Sequence, residues 1–332
     1  MSTFAAVVLF IGVIAYAVLG GADYGAGFWD LTAGGAERGR RPRHLVDEAL
    51  APVWEANHVW LIFCLVMLWT GFPTAFAAIM TTLYIPLGLA ALGIVVRGSG
   101  FAFRKVMVRT DQQRVAGAAF ASSSVLVPFF LGAVAGGIAS GRVPARGSGD
   151  PIRSWLNPTS VLGGVLAVLV VAFVAAVFLT AEARRRDDAD LTRWFGRRAQ
   201  LTSLVTGAVA LAGIAVLRAD APRLFDGLIS RGLPLVIVSA ACGVAALVVL
   251  RRAAPRLVQV LAVAAAATVI MGWGVAQYPY LLGTHVTIQA AAAPPATLWS
   301  LTIVAAAALL LVAPSIALLF LLQQRGRLGD FS

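Results

Sequence analysis

Charge is what this 332-residue chain has least of: Asp, Glu, Lys and Arg make up 12% of it, against 60% hydrophobic residues. A soluble domain of ordinary composition carries roughly a quarter charged residues, so that class is excluded. Cysteine is nearly absent as well. Cys64 and Cys242 both fall in apolar runs, which excludes a disulfide framework and a C-x-x-C metal site and leaves the redox compartment undetermined. The three histidines, His44, His58 and His285, lie far apart in sequence. No C-x-x-C-H haem attachment motif occurs, and no Glu-x-x-His pair recurs as a carboxylate-bridged di-metal site requires. One axial ligand fits this inventory but a set of several haems does not, so no metal site is assigned to the chain. No Lys or Arg precedes the first apolar run and no small-residue cleavage signal follows it. That run is therefore expected to remain as a helix and not to be removed as a signal peptide.

What is present is apolar sequence in lengths that match a bilayer, which takes about 20 helical residues to cross. Nine such runs fall near 4–22, 53–71, 74–96, 115–139, 160–181, 199–217, 233–250, 256–275 and 297–322. They are continuously apolar instead of alternating, which favours helices over a β-barrel. The fold class is all-α and polytopic, and with no long polar insertion residues 1–332 form a single helical membrane domain. A net charge of +11 could suggest nucleic acid, but in a polytopic chain basic residues set topology. With the N-terminus outside and the C-terminus cytoplasmic, 20 of the 26 Lys and Arg residues fall on the cytoplasmic side. No nucleic-acid partner is implied. The links from Asp23 to Ala51 and from Arg184 to Arg198 are the main charge runs, and the simplest expectation for both is a solvated, lipid-facing loop.

Against this background, ionisable residues at membrane depth stand out, since each costs on the order of 2.5–3.5 kcal/mol at mid-bilayer unless paired or wetted. The segment Trp54-Glu55-Ala56-Asn57-His58-Val59-Trp60 follows Pro52, whose fixed φ suits a helix start and sets Glu55 within about a turn of the cytoplasmic interface. His58, three residues on, shares its face, so the two could exchange protons near neutral pH. Equally, they could be interfacial anchors between Trp54 and Trp60, which fix the depth of the helix. Gly20-Gly21-Ala22-Asp23-Tyr24-Gly25-Ala26-Gly27 reads either as a close-packing or unwound turn with an acid at depth, or as a Gly-rich helix end with Asp23 in water. Arg97 ends the third run. It either snorkels to the headgroups or serves as a charge partner for Asp23, Glu55 or a quinone.

In this order, Gly21 to Gly27, Pro52 to Trp60, Arg97 to Arg104, Leu156-Asn157-Pro158 and Gly272 to Tyr280 resemble subunit II of the cytochrome bd-type quinol oxidases. The resemblance spans most of the chain and implies nine helices. It further implies an accessory subunit in the bacterial cytoplasmic membrane, not catalytic alone, packed beside a subunit I that carries haems b and d and the quinol site. Quinol would be oxidised and dioxygen reduced to water by the complex, with this subunit contributing proton access from the cytoplasm. On that basis Glu55 matches a proton-pathway carboxylate, Asp23 the acid of the Gly-rich turn, and Trp54, Asn57 and Trp60 their neighbours. Two departures are Gly20, where bacterial relatives often carry an acid, and His58, where some carry an amide. A bound structural quinone or lipid and a small accessory subunit are compatible with the pattern. Two other classes fit the ionisable residues: a proton-coupled secondary transporter, against which the missing internal repeat counts, and a purely structural membrane scaffold.

Overall fold

The first helix does not stop at its glycines. In an apolar environment every backbone N–H and C=O must be satisfied within the segment, so Gly20 to Gly27 stay helical and α1 runs from Ser2 to Leu31, past the expected end at 22. The structure, a computed structural model, describes residues 1–35, 37–50, 54–106, 110–146, 148–250 and 255–324. Within these, the side chains at 50, 54–57, 101, 104–106, 110–114, 309, 312–313, 316–317 and 319–324 lie outside the description. The elements that follow are α2 (Arg40–Leu50), α3 (Trp54–Gly71), α4 (Pro73–Thr82), α5 (Tyr84–Val106), α6 (Thr110–Ala139), α7 (Pro158–Arg185) and α8 (Ala189–Asp220). Next come α9 (Pro222–Gly227), α10 (Leu233–Leu250), α11 (Pro255–Gln277), a hairpin of β1 (Tyr280–Leu282) and β2 (Val286–Thr287), α12 (Ile288–Ala291) and α13 (Pro295–Gln324).

Among the described residues, six helical units are long and apolar enough to cross a membrane: α1, α6, α7, α8, α9 with α10, and α11. A seventh is counted if α3 and α4, bent by 116° at their junction, form one broken span. Pro73 occupies the first turn of α4, where its missing N–H is harmless. The single helix expected over 74–96 is two, because Pro86 cannot donate to Thr82 and its ring crowds that carbonyl, so α4 ends and α5 begins around Leu83. The helix expected over 199–217 begins earlier, at Ala189. There Asp188 caps it by accepting from the N–H groups of Asp190 at 3.1 Å and Leu191 at 3.0 Å. The expected start at 233 is likewise extended, since a π turn over Leu228–Gly232 joins α9 to α10 without a break.

Both charge runs expected as solvated loops carry helix and pair with each other. Arg41 of α2 bonds Asp188 at 2.8 Å, Arg186 bonds Glu48 and Glu182, and Arg184 donates to the Leu250 carbonyl at 3.1 Å. These bonds gather α2, the α7–α8 turn and the end of α10 at one arginine-rich end of the bundle. One apolar cluster lies beneath them, containing Leu45, Val46, Phe195 and Val258. A second cluster at the opposite end joins Ala5 and Leu9 of α1 to Met67 of α3, with Phe72, α4 and the hairpin. The start of α1 thus meets the end of α3, and the two helices run antiparallel.

Helices α6 and α7 cross through glycine. A Cβ on Gly163 would lie 2.5 Å from the Gly132 carbonyl oxygen, which is backbone and cannot swing aside. Gly163→Ala is therefore expected to push the two helices apart and cost about 1–3 kcal/mol, seen as a lowered melting temperature of the purified protein in detergent. The Asp188 carboxyl is held below the usual carboxylate range, chiefly by the Leu191 N–H, then by Arg41 and the Asp190 N–H. A depressed folded-state pKa contributes stability above the ordinary carboxylate range and loses it as pH falls through the folded value. The stability difference between the native chain and Asp188→Asn, which keeps a capping oxygen, should be largest at neutral pH and close on strong acidification, measured as paired thermal melts.

Candidate functional site

The continuation of α1 carries Asp23 into the bundle, where its side chain is 2% exposed. The Gly-rich helix end with a solvated acid is excluded by that placement. Arg97 of α5 meets it from the neighbouring helix, with a side chain 3% exposed. One guanidinium nitrogen, Nη2, donates to Asp23 Oδ1 at 2.6 Å and to the Asp23 carbonyl at 3.0 Å. The other, Nη1, donates to the Ser124 hydroxyl on α6, which in turn donates to the Phe120 carbonyl at 2.6 Å. Two ring faces complete the enclosure, with the guanidinium carbon 4.2 Å from the Phe120 centroid and 4.9 Å from that of Tyr24. Arg97 is thus bound to Asp23 and does not snorkel.

The local sequence makes this approach feasible. Gly27 faces Ser124 and Arg97, and Gly25 faces the Val171 carbonyl of α7, each so closely that a Cβ would collide with them. Glycine allows α1 to lie backbone against neighbour at the level of the ion pair. On the carboxylate, Oδ2 has no hydrogen-bond partner among the described residues. One turn along, the hydroxyls of Tyr16 and Tyr24 lie 3.2 Å apart. Nearer the arginine-rich end, Asp30 pairs with Arg43 at 2.8 Å, and the Trp29 indole donates to the Ala172 carbonyl at 2.9 Å.

Of the residues singled out in the sequence, the structure brings together Asp23 and Arg97. His58 is half-buried on α3. Trp60 sits edge-on to Phe63 with centroids 6.1 Å apart, and its indole N–H has no partner among the described residues. The side chains of Trp54, Glu55 and Asn57 lie outside the described residues. Tyr16, Phe120, Ser124 and Asp30 were missed by sequence reasoning. Ser123 and Ser124 interrupt an apolar run and carried a usable signal, whereas Asp30 was hidden by ending the helix too early.

A family model decides the kinship. The one described as cytochrome bd terminal oxidase subunit II matches residues 1–323. The chain belongs to this family. It is 28% identical over 220 residues to the cytochrome bd-I ubiquinol oxidase subunit 2 of Escherichia coli, covering 63% of this chain and 56% of that one. It is 28% identical over 176 residues to the cytochrome bd ubiquinol oxidase subunit 2 of Bacillus subtilis, covering 52% and 50%. The matches thus span about half the length of these curated relatives. A chain in the solved structure of the bd oxidase from Geobacillus thermodenitrificans superposes with a TM-score of 0.77 at 25% identity, over 96% of this chain and 97% of that one.

Among the described residues of this subunit II chain, no three His, Cys, Asp or Glu side chains come together in a group able to hold a metal. His44 faces Glu48 at 3.3 Å, and His285 lies beside Thr284 at 3.4 Å. The ion pair itself is open to a thermodynamic test. Removing one partner of a buried pair strands the other charge and costs about 3–5 kcal/mol, while removing both is far milder. Asp23→Ala and Arg97→Ala should each destabilise strongly and the double variant by much less than their sum, measured as a double-mutant cycle of thermal unfolding.

Proposed function

We propose that this chain is the accessory subunit of a bd-type oxidase that takes electrons from a quinol and reduces dioxygen to water. In this proposal haems b and d and the quinol site belong to subunit I. This chain supports that partner and contributes proton access from the cytoplasm. The observation that carries the second role is the Asp23–Arg97 pair, a charged group buried between helices with one carboxylate oxygen without a partner among the described residues. A buried ionisable group in a membrane bundle marks an ion or proton route by default.

Helix register supports a link between Glu55 and this pair. At the crossing of α1 and α3, Gly12 faces Phe63 and Cys64. From there, at a rise of about 1.5 Å per residue, the backbone of Glu55 is about 12 Å and that of Asp23 about 16 Å toward the arginine-rich end. The two positions thus lie within about one helical turn in depth. Glu55 would accept protons from the cytoplasmic side, Asp23, at about the same depth, would relay them laterally into the bundle, and His58 with Asn57 would tune the exchange, while Trp54 and Trp60 hold the helix at its depth. Nine crossings follow if α3, α5 and α13 each span, with α4 lying across the outer end. The concentration of arginine at the end holding α2 and the α7–α8 turn argues for a cytoplasmic C-terminus and an external N-terminus. The setting is the bacterial cytoplasmic membrane, with lipid, a structural quinone and a small accessory subunit as further partners of the complex.

A scaffold role has its own support, since Arg97 is held by Asp23, Ser124 and two rings and locks α1, α5 and α6 together. The two readings separate in the assembled complex. Glu55→Gln should slow oxygen consumption while the haem spectrum stays intact, and unchanged turnover would favour the scaffold. Co-purification of the tagged chain with a haem-bearing membrane partner tests the oxidase assignment itself, and isolation as a haem-free solute carrier would overturn it.

A further inference from the structure

Two phenols sit on α1 in an arrangement that packing alone does not call for. Tyr24 is 3% exposed and packed with Val127 and Val171, and Tyr16 is half-buried beside it. Their hydroxyls lie 3.2 Å apart, and either can donate to the other. Both belong to the same helix, eight residues apart, so the bond ties no two helices together. A buried hydroxyl costs free energy unless bonded, and two phenylalanines would fill the same space without that cost. The pair has to be explained by what hydroxyls do.

Gly20 explains how the two can meet. Tyr16 lies over it, with ring carbons Cε2, Cδ2 and Cζ at 3.3, 3.4 and 3.8 Å from where a Cβ would stand. The ring occupies the volume that any side chain at 20 would need, and it reaches along the helix toward Tyr24. The sequence neighbour of Tyr24, Asp23, carries an Oδ2 with no hydrogen-bond partner among the described residues. Arg97, 4.9 Å above the Tyr24 ring, fixes the face of that ring.

We propose that Tyr24 and Tyr16 form a neutral proton relay that continues the Asp23 site toward the middle of the membrane. The inference rests on the proton-access reading given above. Each phenol accepts a proton on its oxygen lone pair as it releases its own, so the proton advances by one O–H bond broken and one formed at each oxygen. Neither ring is oxidised. The two oxygens are 3.2 Å apart, so the proton passes between them in a single hop, and among the described residues 17–23 of α1 supply no other hydroxyl. Tyr16, the more exposed of the two, is the end at which the proton leaves this chain.

The test uses the assembled oxidase complex and reads oxygen consumption in H2O and D2O together with the haem spectrum. Tyr16→Phe and Tyr24→Phe keep the packing and remove one hydroxyl. Each should slow turnover several-fold and raise the H2O/D2O rate ratio with an unchanged haem spectrum. Tyr16→Ala should be slow, and Tyr16→Ala with Gly20→Asp, which places a carboxyl group in the vacated volume, should recover most of the rate. Full turnover and an unchanged isotope ratio in both phenylalanine variants would overturn the relay. So would slowed variants whose isotope ratio stays at the native value and which the carboxyl group fails to rescue, because that pattern marks packing. If Glu55→Gln slows the enzyme while the phenylalanine variants do not, proton access stands and the phenol relay falls. If none of the three slows it, both fall.

Discussion

A guanidinium buried among apolar helices has to be surrounded on every side, and the geometry of this bundle follows from meeting that demand at Arg97. Its two terminal nitrogens donate to Asp23 and Ser124, and the rings of Phe120 and Tyr24 lie against it. These groups come from α1, α5 and α6, so the three helices must converge at one level. Gly27 leaves room for Ser124 and Arg97 at that level, and Gly25 lets α7 approach α1 alongside. Replacing such a pair by apolar residues can leave stability unchanged or improve it. Stability therefore does not account for its presence, and a role for the charge itself is the more economical explanation.

The chain discloses its class and the residues of this site, but not the geometry that unites them. Asp23 and Arg97 were both visible as charges beside apolar runs, and their pairing was one of several open options. The error lay in treating Gly20 to Gly27 as a helix end. In water, glycine exposes backbone and weakens a helix; in a bilayer the unsatisfied backbone is costlier still, so the same residues become a close-packing face of a longer helix. That change of solvent also hid Asp30, which lies two turns beyond Asp23. The break near Leu83 was legible in Pro86 and was passed over because the run reads as continuously apolar.

Ion pairs at the two ends of the bundle serve a different purpose from the central one. Arg41, Arg185 and Arg193 are more than half exposed where they meet Asp188, Glu182 and Asp190. Exposed to solvent screening, such pairs add little to stability. At the other end, Asp220 at the close of α8 accepts from Arg142 at 2.5 and 3.0 Å and from the Thr159 hydroxyl at 2.6 Å. This joins the end of α8 to the start of α7, whose first residues follow the Asn157 cap. The bundle is thus closed by polar clamps at both ends, with the Asp23–Arg97 pair enclosed between them.

The chemistry open to that depth is limited by charge. A second carboxylate near Asp23 would face a like charge in a medium that screens it poorly, and one of the two would have to hold its proton. Hydroxyls carry no such restriction, since a phenol donates and accepts while remaining neutral. The lack of a side chain at Gly20 and the ring of Tyr16 laid across it are two sides of one solution. The helix gives up an ionisable position and gains a neutral one that can be buried at the cost of a single hydrogen bond. Arg97 already balances the only acid the described site holds at that level, so a neutral relay preserves the balance that a further acid would disturb.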